Sequence, residues 1–321
     1  MIRRCICTAG FVLALLFVVA RGWTEEVYVT NQGDNTISVL DADTKKVVLT
    51  IRLSQVKPHN AVLTKDGTKL YVANVVSGTV SVIDTETRKE VAVIPADRGT
   101  HGVAITPDEK QLWTANVQAD TVSVIDLASR KLVRAIKVGN KPMLVVFTPD
   151  GKKAYVSNGG SGDVSVIDVV KGEVVKTLFA GKDAMGLAIT HDGREVWVTE
   201  GGDEIVSVID TARDEVVATI KVGADTHGVA LTQDGKRAFV SVRKEHVVAV
   251  IDVPSRQVLT RIAVSELPDI LEVTPDGKEV WVTSRKANAV DVIDVGGQRK
   301  YITVPTGSDP HGLAIGGGRH H

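Results

Sequence analysis

Short stretches of alternating hydrophobic and polar residues recur along the chain, separated by turns rich in aspartate and glycine. Alternation with a period of two is typical of half-buried β-strands, and Asp-Gly turns between such stretches favour antiparallel hairpins. The sequence VSVID and its variants recur every 42 residues, or 43 between the first two copies, ending at Asp41, Asp84, Asp126, Asp168, Asp210, Asp252 and Asp294. We interpret these aspartates as turn caps. The chain is therefore predicted to be all-β and built from repeats.

Each repeat contains four predicted strands. A strand such as HGVAIT comes first and a TPDG-type turn follows it; VSVID is the third strand, and a strand such as VVATIKV at 216–222 is the fourth. The second strand carries one aromatic residue in every repeat, namely Tyr28, Tyr71, Trp113, Tyr155, Trp197, Phe239 and Trp281. We predict that these large side chains pack between neighbouring sheets. Four strands every 42 residues predict the blades of a β-propeller.

The two ends of the repeat region complete one another. The first strands after residue 22 are the second, third and fourth of a unit, whereas the last strand, at 311–315, is a first strand with no others after it. One blade is expected to combine three N-terminal strands with one C-terminal strand, which closes a ring without an exposed edge. We predict a single seven-bladed domain over residues 23–315 and a flexible tail at 316–321.

The repeats resemble the YVTN-family β-propeller repeat. The sequences YVTN, YVAN and YVSN, with VSVID and TPDG, carry the resemblance, which covers nearly all of residues 23–318 in seven copies. It implies an exported or surface-associated protein and is broadly similar to the propeller domains of nitrite and nitrous oxide reductases. It implies little about chemistry, because propellers host unrelated functions.

Residues 1–22 have the pattern of a secretory signal peptide. Arginines precede the apolar run FVLALLFVVA at 11–20, which is short for a membrane span, and small residues allow cleavage after Gly22 or after Ala20. An uncleaved membrane anchor is the alternative. Cleavage predicts a periplasmic or secreted protein with no remaining transmembrane span.

Charge and cysteine usage narrow the partners that we expect. The chain has 38 basic and 39 acidic residues, which argues against a nucleic-acid partner held by bulk charge. Cys5 and Cys7, the two cysteines, both lie in the predicted signal peptide, so no disulfide or thiolate metal site is expected after cleavage. We expect a monomer that binds a protein partner or a small ligand at the mouth of its central channel.

Seven side chains at the start of the first strands are candidates for metal binding. They lie 42 residues apart and are named the ring residues: His59, His101, Met143, Met185, His227, Asp269 and His311. Closed symmetry brings equivalent positions together around the axis, so these residues should encircle one channel mouth. Imidazole and thioether groups suit copper, especially the cuprous ion, and imidazole with carboxylate also suits zinc. His311, His59 and His101 are consecutive in the closed ring and form the tightest candidate cluster. The alternative is that these side chains simply fill the axis.

Loops between the second and third strands are expected on the same face as the ring residues. Two of these loops are basic. One contains Arg243, Lys244 and His246, and the other contains Arg285 and Lys286. They are candidates for binding an anionic group such as a carboxylate or a haem propionate, with solvated surface as the alternative. Glu200 stands where four other repeats have asparagine, and it is an acidic candidate on another blade.

Three hypotheses of function remain open. The first is an exported binding or scaffold propeller that presents a ligand or a partner with one channel mouth. The second is a periplasmic redox-accessory protein that binds copper, or haem, through the ring residues. The third, a metal-dependent hydrolase or lyase, is disfavoured because Asp269 alone supplies a carboxylate to the ring. No GxSxG, P-loop or HExxH motif favours catalysis.

Overall fold

The alternation of hydrophobic and polar residues becomes four antiparallel strands in every repeat. A computed structural model describes residues 25–317, and within that range 28 strands form seven four-stranded sheets. The predicted seven-bladed, all-β propeller is therefore confirmed. The predicted signal peptide at 1–22 and residues 318–321 of the predicted tail lie outside the described residues.

Each blade is a meander that runs from an innermost strand to an outermost one. The innermost strands are β4 (Pro58–Leu63), β8 (Thr100–Ile105), β12 (Pro142–Phe147), β16 (Ala184–Ile189), β20 (Thr226–Leu231), β24 (Pro268–Val273) and β28 (Pro310–Gly317). The second strands are β1 (Glu25–Asn31), β5 (Lys69–Asn74), β9 (Gln111–Asn116), β13 (Lys153–Asn158), β17 (Glu195–Glu200), β21 (Arg237–Val242) and β25 (Glu279–Ser284). The third strands are β2 (Thr36–Asp41), β6 (Thr79–Asp84), β10 (Thr121–Asp126), β14 (Asp163–Asp168), β18 (Ile205–Asp210), β22 (Val247–Asp252) and β26 (Ala289–Asp294). The outermost strands are β3 (Lys46–Arg52), β7 (Lys89–Pro95), β11 (Lys131–Lys137), β15 (Glu173–Phe179), β19 (Glu215–Lys221), β23 (Gln257–Ala263) and β27 (Arg299–Pro305).

Blade 1 joins the two ends of the described chain, as predicted. Its strand order is β28, β1, β2, β3, and Tyr28 of β1 lies opposite Ala314 of β28. Strand β28 also extends to Gly317, so Gly316 and Gly317 pair with β1, although the sequence analysis placed them in the tail. Blades 2 to 7 follow in chain order, from β4–β7 to β24–β27.

The innermost strands close the ring. Each contacts the innermost strands of both neighbouring blades, and β28 contacts both β4 and β24. Every innermost strand begins at the face that carries the ring residues, here called the ring face. It ends at the opposite face, called the turn face, where the TPDG-type turns lie.

Hydrophobic side chains fill the wedges between blades. The indoles of Trp113, Trp197 and Trp281 are fully buried. Trp197 of blade 5, for example, packs in one cluster with Val229 and Val240 of blade 6. The predicted packing of the aromatic residues between sheets is therefore observed.

The aspartates at the ends of the third strands cap the turns, as expected. Asp84 accepts a hydrogen bond from the backbone N–H of Thr87 at 2.8 Å, and Asp126 accepts one from Ser129 at 2.7 Å. Two short 3-10 helices, Arg243–Glu245 and Arg285–Ala287, lie on the ring face within the described range. No helix between residues 25 and 317 has the length and hydropathy of a membrane span.

Candidate functional site at the channel mouth

The ring residues converge at one mouth of the channel. The imidazole of His59 lies between those of His101 and His311, with ring centroids 3.6 and 3.5 Å apart and ring planes tilted by 42° and 39°. His227 meets His311 edge-on, with centroids 6.3 Å apart. The cluster of His311, His59 and His101 that the 42-residue spacing predicted is therefore present, although its role stays a prediction.

Hydroxyl groups of the second strands hold the ring at one level. The backbone N–H of Gly312 donates to the hydroxyl of Thr30 at 2.8 Å, and this hydroxyl donates to the carbonyl of His59 in the next blade at 2.5 Å. Equivalent hydroxyls, on Ser157, Thr199, Ser241 and Thr283, donate to the carbonyls of Met185, His227, Asp269 and His311. Each bridge links two blades, so the ring residues are positioned by the backbone.

Glycine after a ring residue lets the next blade approach closely. A Cβ atom built on Gly312 would overlap the carbonyl oxygen of His59, and one on Gly228 would overlap that of Asp269. A side chain at either position would push a ring residue away from the axis. The recurrent His-Gly pair is thus explained by packing at the mouth.

One side of the ring, formed by His227, Asp269 and His311 and named the acidic arc, is a hydrogen-bonded network. The carboxylate of Asp269 is fully buried; its Oδ1 lies 2.9 Å from Nε2 of His227 and its Oδ2 lies 3.0 Å from Nε2 of His311. The guanidinium of Arg243 donates from Nε to Oδ1 of Asp269 at 2.9 Å, and Nη1 of Arg285 lies 3.6 Å from Oδ2. Four groups from three blades thus converge on one carboxylate.

The carboxylate of Asp269 is ionised in this network. Burial alone would oppose ionisation, but the imidazoles of His227 and His311 outweigh it and hold the pKa of Asp269 well below its usual range. The charge of the carboxylate is then balanced by Arg243 and Arg285.

The imidazoles of the ring are neutral. Burial lowers the pKa of His101 to about 3 and that of His227 to about 4, and it also lowers the pKa values of His59 and His311. A neutral imidazole carries one N–H and one lone pair. Because Nε2 of His227 and Nε2 of His311 face the ionised carboxylate of Asp269, the proton of each neutral imidazole belongs on Nε2 and the lone pair on Nδ1. Neither Nδ1, nor that of His59, has a hydrogen-bond partner among the described residues.

The other side of the ring, formed by His59, His101, Met143 and Met185 and named the neutral arc, contains no charged group. His101 donates Nδ1–H to the backbone carbonyl of Met143 at 3.0 Å, which leaves its lone pair on Nε2. The side chains of Met143 and Met185 flank Gly159, where an added Cβ would lie 3.3 Å from Cγ of Met143 and 3.5 Å from Sδ of Met185. His101 and both methionines are partly exposed, so solvent reaches this arc.

The acidic arc also has the geometry of a metal-ligand group. One nitrogen from each of His227 and His311 and one oxygen of Asp269 lie within 4.8 Å of one another. A divalent ion bound there would lie close to the guanidinium groups of Arg243 and Arg285, and like charges at such distances repel. The neutral arc offers metal-binding donors without this repulsion.

In both predicted basic loops, the arginine points inward, whereas the other basic side chains are exposed. Arg285 forms a two-pronged contact with Asp309, from Nε at 2.7 Å and from Nη2 at 3.0 Å, besides approaching Asp269. Arg243 likewise turns inward. The remaining members, Lys244, His246 and Lys286, are exposed on the ring face, and Lys286 pairs with Glu266 at 3.1 Å. Both arginines thus contact Asp269, a link that sequence analysis missed, although Arg285 shares blade 7 with Asp269 and Arg243 lies on the neighbouring blade 6.

Glu200 is buried rather than displayed at the surface. Its side chain is 0% exposed, and neither carboxyl oxygen has a hydrogen-bond partner among the described residues. Burial, with smaller contributions from Asp203 and Asp183, raises the pKa of Glu200 to about 9. The residue is therefore protonated at neutral pH and supplies no negative charge to the ring face.

The fold and the site together define a class: a seven-bladed β-propeller with a histidine-rich channel mouth. A family model described as YNCE-like beta-propeller matches residues 66–153. With the seven blades, this match supports the resemblance of the chain to YVTN-type β-propeller repeats. A comparison with curated proteins finds no match.

Solved structures share the architecture. The chain is similar to a structure of Kuenenia stuttgartiensis hydrazine synthase, with a TM-score of 0.77 and 24% identity, over 84% of this chain and 92% of that one. It is also similar to a functionally unknown protein from Desulfotomaculum acetoxidans, with a TM-score of 0.81 and 14% identity, over 90% of this chain and 98% of that one. At these identities the likeness concerns the fold alone.

Proposed function

We propose that this protein is an exported binding propeller whose channel mouth binds copper(I) through the neutral arc. The observation that carries the proposal is the set of uncharged donors gathered there. His101 holds an Nε2 lone pair, His59 has an unpartnered Nδ1, and the side chains of Met143 and Met185 both approach Gly159. Imidazole and thioether donors together suit the cuprous ion.

Charge favours copper(I) over zinc in this ring. Zinc prefers a site with a carboxylate or thiolate, and the nearest carboxylate, Asp269, is already bound by two imidazoles and two guanidinium groups. A monovalent ion on neutral ligands brings less positive charge near Arg243 and Arg285. Haem is disfavoured because the ring centroids of His59 and His311 lie only 3.5 Å apart, which leaves no gap for a macrocycle between them.

Export belongs to the same proposal. It is supported by the signal-like sequence of residues 1–22, and it would deliver the protein to the periplasm or the exterior. We infer that the monomer presents its ring face to a ligand or to a protein partner there.

Anaerobic titration of the untagged protein with copper(I), in competition with a chromogenic chelator, tests the metal proposal. We expect one equivalent to bind and X-ray absorption to report both sulfur and nitrogen ligands. Replacement of Met143 and Met185 by leucine keeps their volume but removes both sulfurs, and we expect it to weaken binding at least about tenfold. His101→Ala should weaken it as well.

The matched control is His191→Ala, which removes an exposed imidazole on the turn face. This variant should bind copper like the parent protein. Less than about a tenth of an equivalent in the parent, or full affinity in the double leucine variant, would refute the copper site. Partner binding that survives alanine at the ring residues would instead favour the scaffold function.

A further inference from the structure

Behind the ring, the channel contains an apolar cavity of about 370 Å³. Residues of the innermost strands of blades 2 to 7 line it, and the lining reaches Pro107 in a turn on the turn face. Aliphatic side chains such as Val62, Leu144 and Ile270 make up most of the wall. The ring residues are not part of this lining, so the cavity is separate from the proposed copper site.

Glu272 is the single charged residue in the wall of the cavity. The equivalent positions of the other six blades hold small or aliphatic residues: Val62, Ala104, Val146, Ala188, Ala230 and Ala314. The propeller therefore does not require an acid at this position to fold. Its presence in one blade alone points to a role in binding.

Glu272 has no internal counter-charge. Among the described residues its side chain makes no hydrogen bond and no ion pair, and burial alone raises the pKa of the carboxyl to about 7. The strands packed against β24 are β20, β21, β25 and β28, and their titratable side chains are His227, Arg237, Glu279 and His311. These groups have partners elsewhere: His227 and His311 pair with Asp269, Arg237 with Asp252, and Glu279 with Lys45.

We propose that the cavity binds a small organic amine, whose ammonium group pairs with Glu272 and whose apolar body fills the channel. A carboxylate in apolar surroundings is stabilised by a cation that arrives with its own hydrogen-bond donors. The volume is within the range of small-molecule sites, which are mostly apolar with a few polar groups that fix orientation. The inference is independent of copper binding at the ring.

Calorimetric titration with cyclohexylmethylamine and with cyclohexylmethanol, its uncharged analogue, tests the proposal at pH 8. We expect the amine to bind at least about tenfold more tightly than the alcohol. Glu272→Ala installs the residue that four other blades carry, and Glu272→Gln keeps size and polarity. Both variants should lose about tenfold or more in amine affinity and keep their affinity for the alcohol.

Two further variants separate the carboxylate from the cavity. Ala104→Leu fills the cavity and should weaken both ligands, whereas Glu173→Ala, which removes an exposed acid on β15, should change neither. Equal affinity for amine and alcohol would overturn the proposal. So would unchanged amine binding in Glu272→Ala, in Glu272→Gln or in Ala104→Leu.

Discussion

The acidic arc and the neutral arc occupy equivalent backbone positions but satisfy their side chains in opposite ways. In the acidic arc, a buried carboxylate binds two imidazoles and two guanidinium groups, so every charge has a partner inside the protein. In the neutral arc, imidazole and thioether groups carry lone pairs and no charge, and part of the arc is open to solvent. One ring can therefore combine a half whose charges are paired within the protein with a half whose lone pairs are available to a ligand.

The largest expected effect comes from breaking the acidic arc at its centre. Asp269→Ala leaves Arg243 without the carboxylate that neutralises it, whereas Arg285 keeps Asp309, and breaking a buried ion pair by removing one partner costs about 3–5 kcal/mol. Urea unfolding of the parent and the variant measures the difference in the free energy of unfolding. A cost below about 1 kcal/mol would contradict the structural role of this arc.

Acid should weaken the contribution of each ring imidazole by a smaller amount. The folded-state pKa values of His101 and His227, about 3 and about 4, lie below the value of roughly 6.5 for an unfolded chain, so unfolding takes up protons between these limits. Stability is therefore complete above about pH 6.5 and falls as the pH is lowered toward 4, on the order of 2 kcal/mol per imidazole.

Unfolding curves recorded from pH 7 to pH 4 test this pH dependence. His101→Ala should reduce the slope of stability against pH, whereas His191→Ala, at an exposed turn position, should leave it unchanged. An identical slope in the parent and in His101→Ala would show that His101 does not take up a proton on unfolding.

The smallest effect on stability is expected in the neutral arc. Met143→Leu and Met185→Leu conserve volume and disturb no hydrogen bond of the side chain, so each should cost less than about 1.5 kcal/mol. The same urea titrations measure it. A cost equal to that of Asp269→Ala would mean that both arcs stabilise the fold to the same extent, which would contradict the distinction between them.

The sequence was sufficient to predict the fold and the membership of the ring. A strict repeat makes equivalent positions visible, so the aromatic residues, the turn aspartates and the ring residues could each be assigned from one spacing. The same repeat predicted that β1 and β28 share a blade, and only the end of β28 was placed two residues too early.

The interactions between side chains could not be read from the spacing. The contacts of Arg243 and Arg285 with Asp269 depend on how loops of different blades turn inward, which a pattern along one strand does not encode. Glu200 was expected to be an acidic group on the ring face, because it stands where four other repeats have asparagine, whereas its side chain is fully buried and its pKa is raised to about 9. Glu272 was not among the predicted site residues, because the alternation of residues in its strand does not indicate that an acid faces an apolar channel.

Strand β28 brings His311 to the ring, and of the described strands it is the last to be synthesised. A nascent propeller that lacks this strand presents an unpaired edge on β1 and an incomplete circle of imidazoles. Docking of β28 therefore completes the sheet of blade 1 and, in the same step, adds His311 to the ring. Any ligand that needs the whole circle can be captured only after β28 has been synthesised and has paired with β1.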